Sequence, residues 1–228
     1  MGMFLRRGPA PHRTRMSDLE IGQTIKLNLN GTPWDWMVVH QGLPSSIYDA
    51  SCDGTWLLLN DIYEKRKWHS SNANKLENST IHSYLNGDFQ NLFDSNIKGA
   101  IKQVKIPYRQ NGGSGGTNQS GANGLPCKIF LLSSPEVHIY SSNDGEGASL
   151  SYFASTSPTE KDSKRIANYN GSPSAWWLRS PAITLSTSVW NVRVDGDFAN
   201  ADTSYTRGIR PALILPSNFI VSEEMLAA

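Results

Sequence analysis

The chain has 228 residues, enough to bury a sizeable core and best matched to a single elaborated domain. With 21 Lys and Arg against 20 Asp and Glu, its formal charge is +1, so no general electrostatic pull draws it to nucleic acid or an anionic membrane, and neither is an expected partner. Two cysteines, Cys52 and Cys127, are too few for a disulfide framework and lack the paired spacing of a structural zinc site; they read as buried or free thiols.

Residues 1–16 carry Arg6, Arg7, Arg13 and Arg15 but no apolar run long enough for a secretory signal, and are expected to form a basic flexible arm. The single domain is expected over 17–228, as a soluble protein, since no window holds the roughly 20 apolar residues that cross a bilayer. Ile25, Leu27 and Leu29 alternate with polar residues, Asn30-Gly31 supplies a turn, and Trp34, Trp36 and Val38 alternate again, which predicts a β-hairpin. A third strand is expected over Thr55 to Leu59, then a polar stretch through Lys65, Lys67 and Trp68. Asn78 or Ser79 can cap a short helix bearing Ile81, Tyr84 and Leu85, ended by Asn86-Gly87, and Phe89, Leu92 and Phe93 extend the apolar face into another helical turn. Ile97, Ile101, Val104 and Ile106 lead into a strand that stops near Pro107.

Arg109 to Pro126 is rich in Gly, Ser and Asn and reads as a long surface loop. Its Gly-Gly-Ser-Gly-Gly lacks the Lys-Ser/Thr ending and strand-to-helix context of a phosphate-cradling loop. Lys128 to Leu132 is an expected strand, and a helix is expected to follow with Ser134 as cap and Pro135 at its first position. A second polar loop is expected over Ser141 to Asn170, with a strand or helical turn around Tyr152. Strands, short helices and strands without βαβ alternation argue an α+β fold.

Catalytic motifs are sparse. His12, His40, His69, His82 and His138 fall in no metal-ligand spacing, there is no nucleophile elbow, and neither cysteine has a nucleophile context, so no enzyme activity, cofactor or metal is expected. Asp195, Asp197 and Asp202 offer oxygen ligands loosely in the manner of a calcium loop, but turn propensity explains them as well. Trp176 and Trp177 are adjacent and, on a strand, point to opposite faces, one to the core and one to a second layer or a surface site. Trp190, Val192 and Val194 alternate with Asn191, Arg193 and Asp195; the first set is expected inward and the second outward. Residues 182–206 contain no Lys, Glu, Gln, Met, His, Cys or Pro, and mix small polar residues with Phe198 and Tyr205, a composition suited either to a contact surface or to a plain polar loop.

The series Trp-Trp-Leu-Arg-Ser-Pro from Trp176, Val-Trp-Asn-Val from Val189, a turn at Gly196 and Arg-Gly-Ile-Arg-Pro-Ala-Leu-Ile-Leu from Arg207 closely resembles the variable region of proteins diversified by retroelements. Those proteins have a C-type-lectin-like fold of the formylglycine-generating-enzyme type. GTPWDWMVV from Gly31, SYLNGDF from Ser83 and KIFLLSSPEV from Lys128 look like the preceding domain of gut bacterial and phage members, so the resemblance covers most of Ser17 to Leu215. In such systems a reverse transcriptase copies a template repeat with errors at adenines, and AAC codons become codons for many residues but never Lys, Glu, Gln, Met or Trp.

The resemblance implies a fixed scaffold of Trp176, Trp177, Arg179, Ser180, Pro181, Trp190, Val192, Gly196, Gly208, Arg210 and Pro211, with Arg179 or Arg210 holding loop carbonyls. It implies a variable, ligand-binding set of Ala182, Thr184, Leu185, Ser186, Thr187, Arg193, Asp195, Asp197, Asn200, Asp202, Thr203, Tyr205 and Thr206, with Tyr205, Arg193 and Leu185 as anchors. The expected function is display of a hypervariable surface that recognises a protein or glycan on a bacterial or host surface, in a phage or a bacterium, with the missing secretory signal favouring a phage or prophage product and virion association. The alternatives are a fixed carbohydrate-binding lectin-like domain and an oxidase of the formylglycine-generating type, whose reactive cysteine pair Cys52 and Cys127 do not match.

Overall fold

The computed structural model describes residues 13–140 and 145–226. Apolar alternation at Ile25, Leu27 and Leu29 forms β1 (Thr24–Leu29), and Asn30 and Gly31, both at positive φ, turn the chain into β2 (Thr32–Gln41), as a tight hairpin whose twist matches its strands requires. The expected third strand is β3 (Thr55–Leu59). The polar stretch after it is also a strand, β4 (Glu64–Lys67), whose alternating half-buried and exposed residues suit the edge of a sheet. Ser79 Oγ accepts from His82 N at 3.1 Å and starts α1 (Thr80–Leu85); α2 (Ser95–Ala100) takes up Ile97 before the short β5 (Val104–Ile106).

Next come β6 (Tyr108–Gln110), β7 (Thr117–Gln119), β8 (Leu125–Cys127), β9 (Ile129–Phe130), β10 (Asn168–Tyr169) and β11 (Ser172–Pro173). The C-terminal part holds β12 (Trp176–Pro181), β13 (Ser188–Val192), β14 (Phe198–Asp202), β15 (Thr206–Ile209), β16 (Ala212–Leu215) and α3 (Glu223–Leu226). Among the described residues the strands make two larger sheets, ordered β1-β2-β3-β16-β9 and β14-β13-β12-β15-β4, with three two-stranded ribbons. Pairing is antiparallel except between β12 and β15. The protein is thus mainly antiparallel strands with a few short helices, in keeping with an α+β or mainly-β class. No described helix is long and apolar enough to cross a membrane.

The core lies where alternation gives way to strands buried along their whole length. Every residue of β3, β12 and β16 is buried, because these strands are covered on both faces. Trp36, Trp56, Trp68, Trp176 and Trp177 are all solvent-inaccessible. Four of the buried indoles bond a carbonyl: Trp56 to Gly42 and Cys52, Trp68 to Leu178, Trp176 to Arg165 and Trp177 to Arg66.

Several expectations are corrected. The basic arm over 1–16 falls largely outside the described residues, but its last part is docked: Val221 N donates to Thr14 O at 2.9 Å, Arg15 bridges Ile220, and Met16 is fully buried. The Gly-rich stretch from Arg109 is not a free loop. It folds back through the β6–β7 ribbon, because its glycines reach positive φ and approach neighbouring backbone closely. The helix expected from Ser134 is a single turn. Ser133, not Ser134, forms the reciprocal cap, its N–H donating to Glu136 Oε2 at 2.9 Å while its hydroxyl accepts from Glu136 N at 3.3 Å, and His138 at φ 55° stops the turn. Residues 145–170 are not simply polar loop either, since Leu150 and Phe153 are fully buried; residues 141–144 of that stretch lie outside the described residues.

Candidate functional site

The strand β12 supplies the foundation. Arg179 projects into the interior, where Glu136 meets its Nη1 and Nη2 at 2.5 and 2.6 Å in a bidentate pair with no solvent exposure on either side chain. The remaining donors reach Pro107 O (3.1 Å), Leu131 O (2.9 Å) and Glu146 O (2.9 Å). Burial alone would lower this guanidinium's pKa, but the adjacent Glu136 carboxylate more than reverses that and holds the charge. Arg179 therefore ties three separate segments, around Pro107, residues 131–136 and Glu146, to one strand. Arg210 is a lesser tie: its Nε donates to Leu59 O at 2.8 Å, it stacks over Trp176, and burial lowers it to about 10.

Immediately after β12 the chain emerges. The loop 182–187 is held through its backbone, and largely by groups from elsewhere in the chain. Asn74 Nδ2 donates to Leu185 O (2.9 Å) and Ser188 O (2.8 Å), Asn74 N donates to Ser186 O (3.0 Å), and Ser114 N donates to Leu185 O (3.2 Å). Gly113, whose N–H donates to Asn74 Oδ1 at 3.1 Å, lies so close beneath the carbonyls of Ala182 and Leu185 that any Cβ there would collide with them. Meanwhile Thr184, Leu185 and Ser186 are exposed, and among the described residues no hydrogen bond of their side chains holds the fold.

The same division recurs further along. Trp68 N and His69 N both donate to Thr203 O, and Thr203 N donates to Thr187 O, closing the far end of the β13–β14 hairpin onto the loop. At the near end the buried Arg165 donates to the carbonyls of Gly196, Val137, His138 and Glu160, and Asp162 N also reaches Gly196 O. Gly196 has φ 80° and packs onto Asp162 O, so a side chain here would clash.

Placement of the expected variable set is mixed. Thr184, Leu185, Ser186, Arg193, Asp195, Asn200, Tyr205 and Thr206 are exposed, and Thr187, Asp197 and Asp202 are half-buried. The three named anchors stand out: Leu185 is 41% exposed, Tyr205 55%, and the Arg193 side chain 58%. Ala182 and Thr203 are corrected, because both are buried and present no side chain to a ligand. Ala182 closes the base of the loop through its N–H to Ser188 O at 2.9 Å, and Thr203 serves the backbone ties above.

The alternation expected along β13 is also corrected. Asn191 is buried, with its amide donating to Ala199 O at 2.8 Å, Trp190 is only half-buried, and Val194 is exposed. The strand ends at Val192 and a turn begins, with Gly196 N donating to Arg193 O and Arg193 N to Asp197 O, so alternation does not extend to Val194. Trp177 faces no surface site; both tryptophans are interior. The other scaffold residues, Ser180, Pro181, Val192, Gly208 and Pro211, are buried.

The acidic residues do turn work. Asp195 Oδ1 accepts from Asp197 N (3.3 Å), Asp197 Oδ1 from Phe198 N (2.8 Å) and Asp202 Oδ1 from Ser204 N (2.9 Å). The hydrogen bonds from Ser204 lower the Asp202 pKa. Among the described residues no group of three or more His, Cys, Asp or Glu could hold a metal ion. Cys52 and Cys127 are buried; desolvation pushes the Cys52 thiol up to about 11 and the Cys127 thiol higher still, opposite to the thiolate that a reactive cysteine requires.

The residues expected to vary are spread over both ends of the β13–β14 hairpin. Ser188 pairs with Asp202 at one end of the hairpin and Val192 with Phe198 at the other, roughly 13 Å along the strand at the usual rise. Thr187 lies with Asp202 at the first end, its carbonyl accepting from Thr203 N at 2.9 Å. Arg193, Asn200 and Thr206 instead line a cleft of about 490 Å³ at the start of β12, shared with Lys65 of β4 and Arg207 of β15. Asn74, Gly113, Glu136, Arg165 and Lys65 were missed by sequence reading. A close backbone approach was the one available hint for Gly113, and a cap three residues after a serine the one for Glu136.

Comparison with known families gives a match over residues 53–217 to the family described as Domain of unknown function (DUF6273). No curated protein and no solved structure matches the chain.

Proposed function

This chain belongs to the DUF6273 family, and we propose that it is a non-catalytic ligand-binding display protein with a C-type-lectin-like fold, whose surface over 182–206 is the target of a diversity-generating retroelement. The observation that carries the proposal is the division of labour within that segment. Backbone carbonyls of Leu185, Ser186, Ser188, Gly196 and Thr203 are held by Asn74, Ser114, Arg165, Trp68 and His69, all outside it, while the side chains of Thr184, Leu185, Ser186 and Arg193 are exposed. Such a surface accepts many side chains, because exposed substitutions away from caps and core usually change stability by less than about 0.5 kcal/mol.

Recognition of a protein or glycan would then rest on a few anchors, Tyr205, Arg193 and Leu185. The absence of Lys, Glu, Gln and Met from 182–206 supports diversification at adenines. Sequencing the DNA around the gene is the direct test. A near-copy of the region coding for Trp176 to Leu213, differing only where the copy has adenines, beside a reverse transcriptase gene, is the expected result. Absence of both removes the diversification reading and leaves a fixed binding surface.

A further inference from the structure

The cleft at the start of β12 has a chemistry that the display reading does not specify. Three cations line it, Lys65, Arg193 and Arg207, and no Asp or Glu does. Neither Lys65 nor Arg207 has a carboxylate partner among the described residues, and Arg193 has only Asp197 at 3.9 Å, outside the lining. Neutral rings position two of the charges instead: Lys65 Nζ sits 4.8 Å from the Tyr169 ring and Arg207 Cζ 5.6 Å from the Tyr205 ring. Arg207 Nε is shielded from solvent and has no hydrogen-bond partner, a donor left unmet by the fold.

The Asn200 amide and the Ser174 and Thr206 hydroxyls belong to residues lining the same cleft, while Ala175, Ala199 and Ala201 keep the space open because their methyl groups fill little of it. We propose that this cleft binds the anionic group of an acidic saccharide, a carboxylated or sulfated sugar, with Lys65 and Arg207 as its charge-binding pair. A volume of about 490 Å³ suits a small ligand unit. None of the lining residues is aromatic, so nucleobases have no stacking platform, and the amide and hydroxyl set matches the hydroxyls of a sugar ring. The inference deepens the proposed display function and rests on it only for Arg193, Asn200 and Thr206; Lys65 and Arg207 lie outside the variable set.

The test uses the full chain with oligosaccharides of galacturonate, of sulfated galactose and of neutral galactose, read by titration calorimetry. The acidic forms should bind at least about tenfold more tightly than the neutral one, and lose affinity as salt rises from about 50 to 500 mM. K65Q with R207Q should cost about tenfold or more in affinity at an unchanged denaturation midpoint, and R207K should retain part of it. Equal binding of galactose, no binding of either acidic form, or stronger binding of polyglutamate or an oligonucleotide overturns the proposal. If L185A and Y205A abolish acidic-saccharide binding while K65Q with R207Q leaves it intact, the display surface stands and the cleft assignment falls. If the flanking DNA lacks a template repeat but K65Q with R207Q abolishes binding, the cleft assignment stands and diversification falls.

Discussion

Trp176–Pro181 and the six residues after it adjoin in sequence and differ in everything else. All six residues of the strand are buried, and its arginine spends its donors on Glu136 and three backbone carbonyls. In the following loop the backbone is tied down by Asn74 and Ser114 while its central side chains face solvent. Arg179 and Arg193 make the contrast concrete: one is wholly buried in a bidentate pair, the other is more than half exposed with its nearest carboxylate at 3.9 Å. An exposed loop is thus held in place through its backbone by residues that do not belong to it.

The largest effect is expected for Glu136→Ala. It leaves the Arg179 charge buried without its partner and should cost roughly 3–5 kcal/mol in urea denaturation; a loss under about 1 kcal/mol would mean that the pair is not the anchor described. Asn74→Ala comes next. It strips partners from Leu185 O, Ser188 O and Gly113 N, for an expected loss of about 1–3 kcal/mol. Faster amide hydrogen exchange at Ser114 and Leu185 should accompany it, and unchanged exchange there would show that the loop is held some other way.

Titration sharpens the same contrast, since the segment 182–206 has no histidine. Burial lowers the pKa of His82 and of His40 below their ordinary 6.5. A depressed folded value means that the neutral form is the native one, so the stability it contributes is whole above 6.5 and is lost as pH falls through the folded value. His82→Gln should therefore flatten the acid side of a stability-against-pH curve, whereas an identical curve would remove His82 as a contributor. The smallest stability effect is expected at the proposed display surface. Tyr205→Ala combined with Arg193→Ala should move the unfolding free energy by less than about 0.5 kcal/mol while abolishing recognition, and an equal loss of stability would place these side chains in the scaffold.

Local signals were legible because they depend on neighbours in the chain. The hairpin at Asn30-Gly31 and the cap at Ser79 follow from backbone preferences and short-range hydrogen bonds, and the structure has both. The failures occur where a distant partner decides. Arg109 to Pro126 looks unable to order itself, yet Gly113 finds Asn74 and the carbonyls of Ala182 and Leu185. Val194 looks inward by alternation, but the strand has already turned. Ala182 and Thr203 share the composition of their exposed neighbours and differ only in lying at the loop base and beneath the β4 end, which no periodicity reveals.

Local causes in the sequence account for the alternating hairpin, the strand β3 and a C-terminal segment whose composition differs from its surroundings. Long-range packing sets which members of that segment meet solvent, pairs Glu136 with Arg179 across 43 positions, and brings Lys65, Arg207 and Arg193 to one cleft. The physical reason is that burial and charge pairing belong to surfaces assembled from residues far apart along the chain, whereas turns and caps close within a few residues.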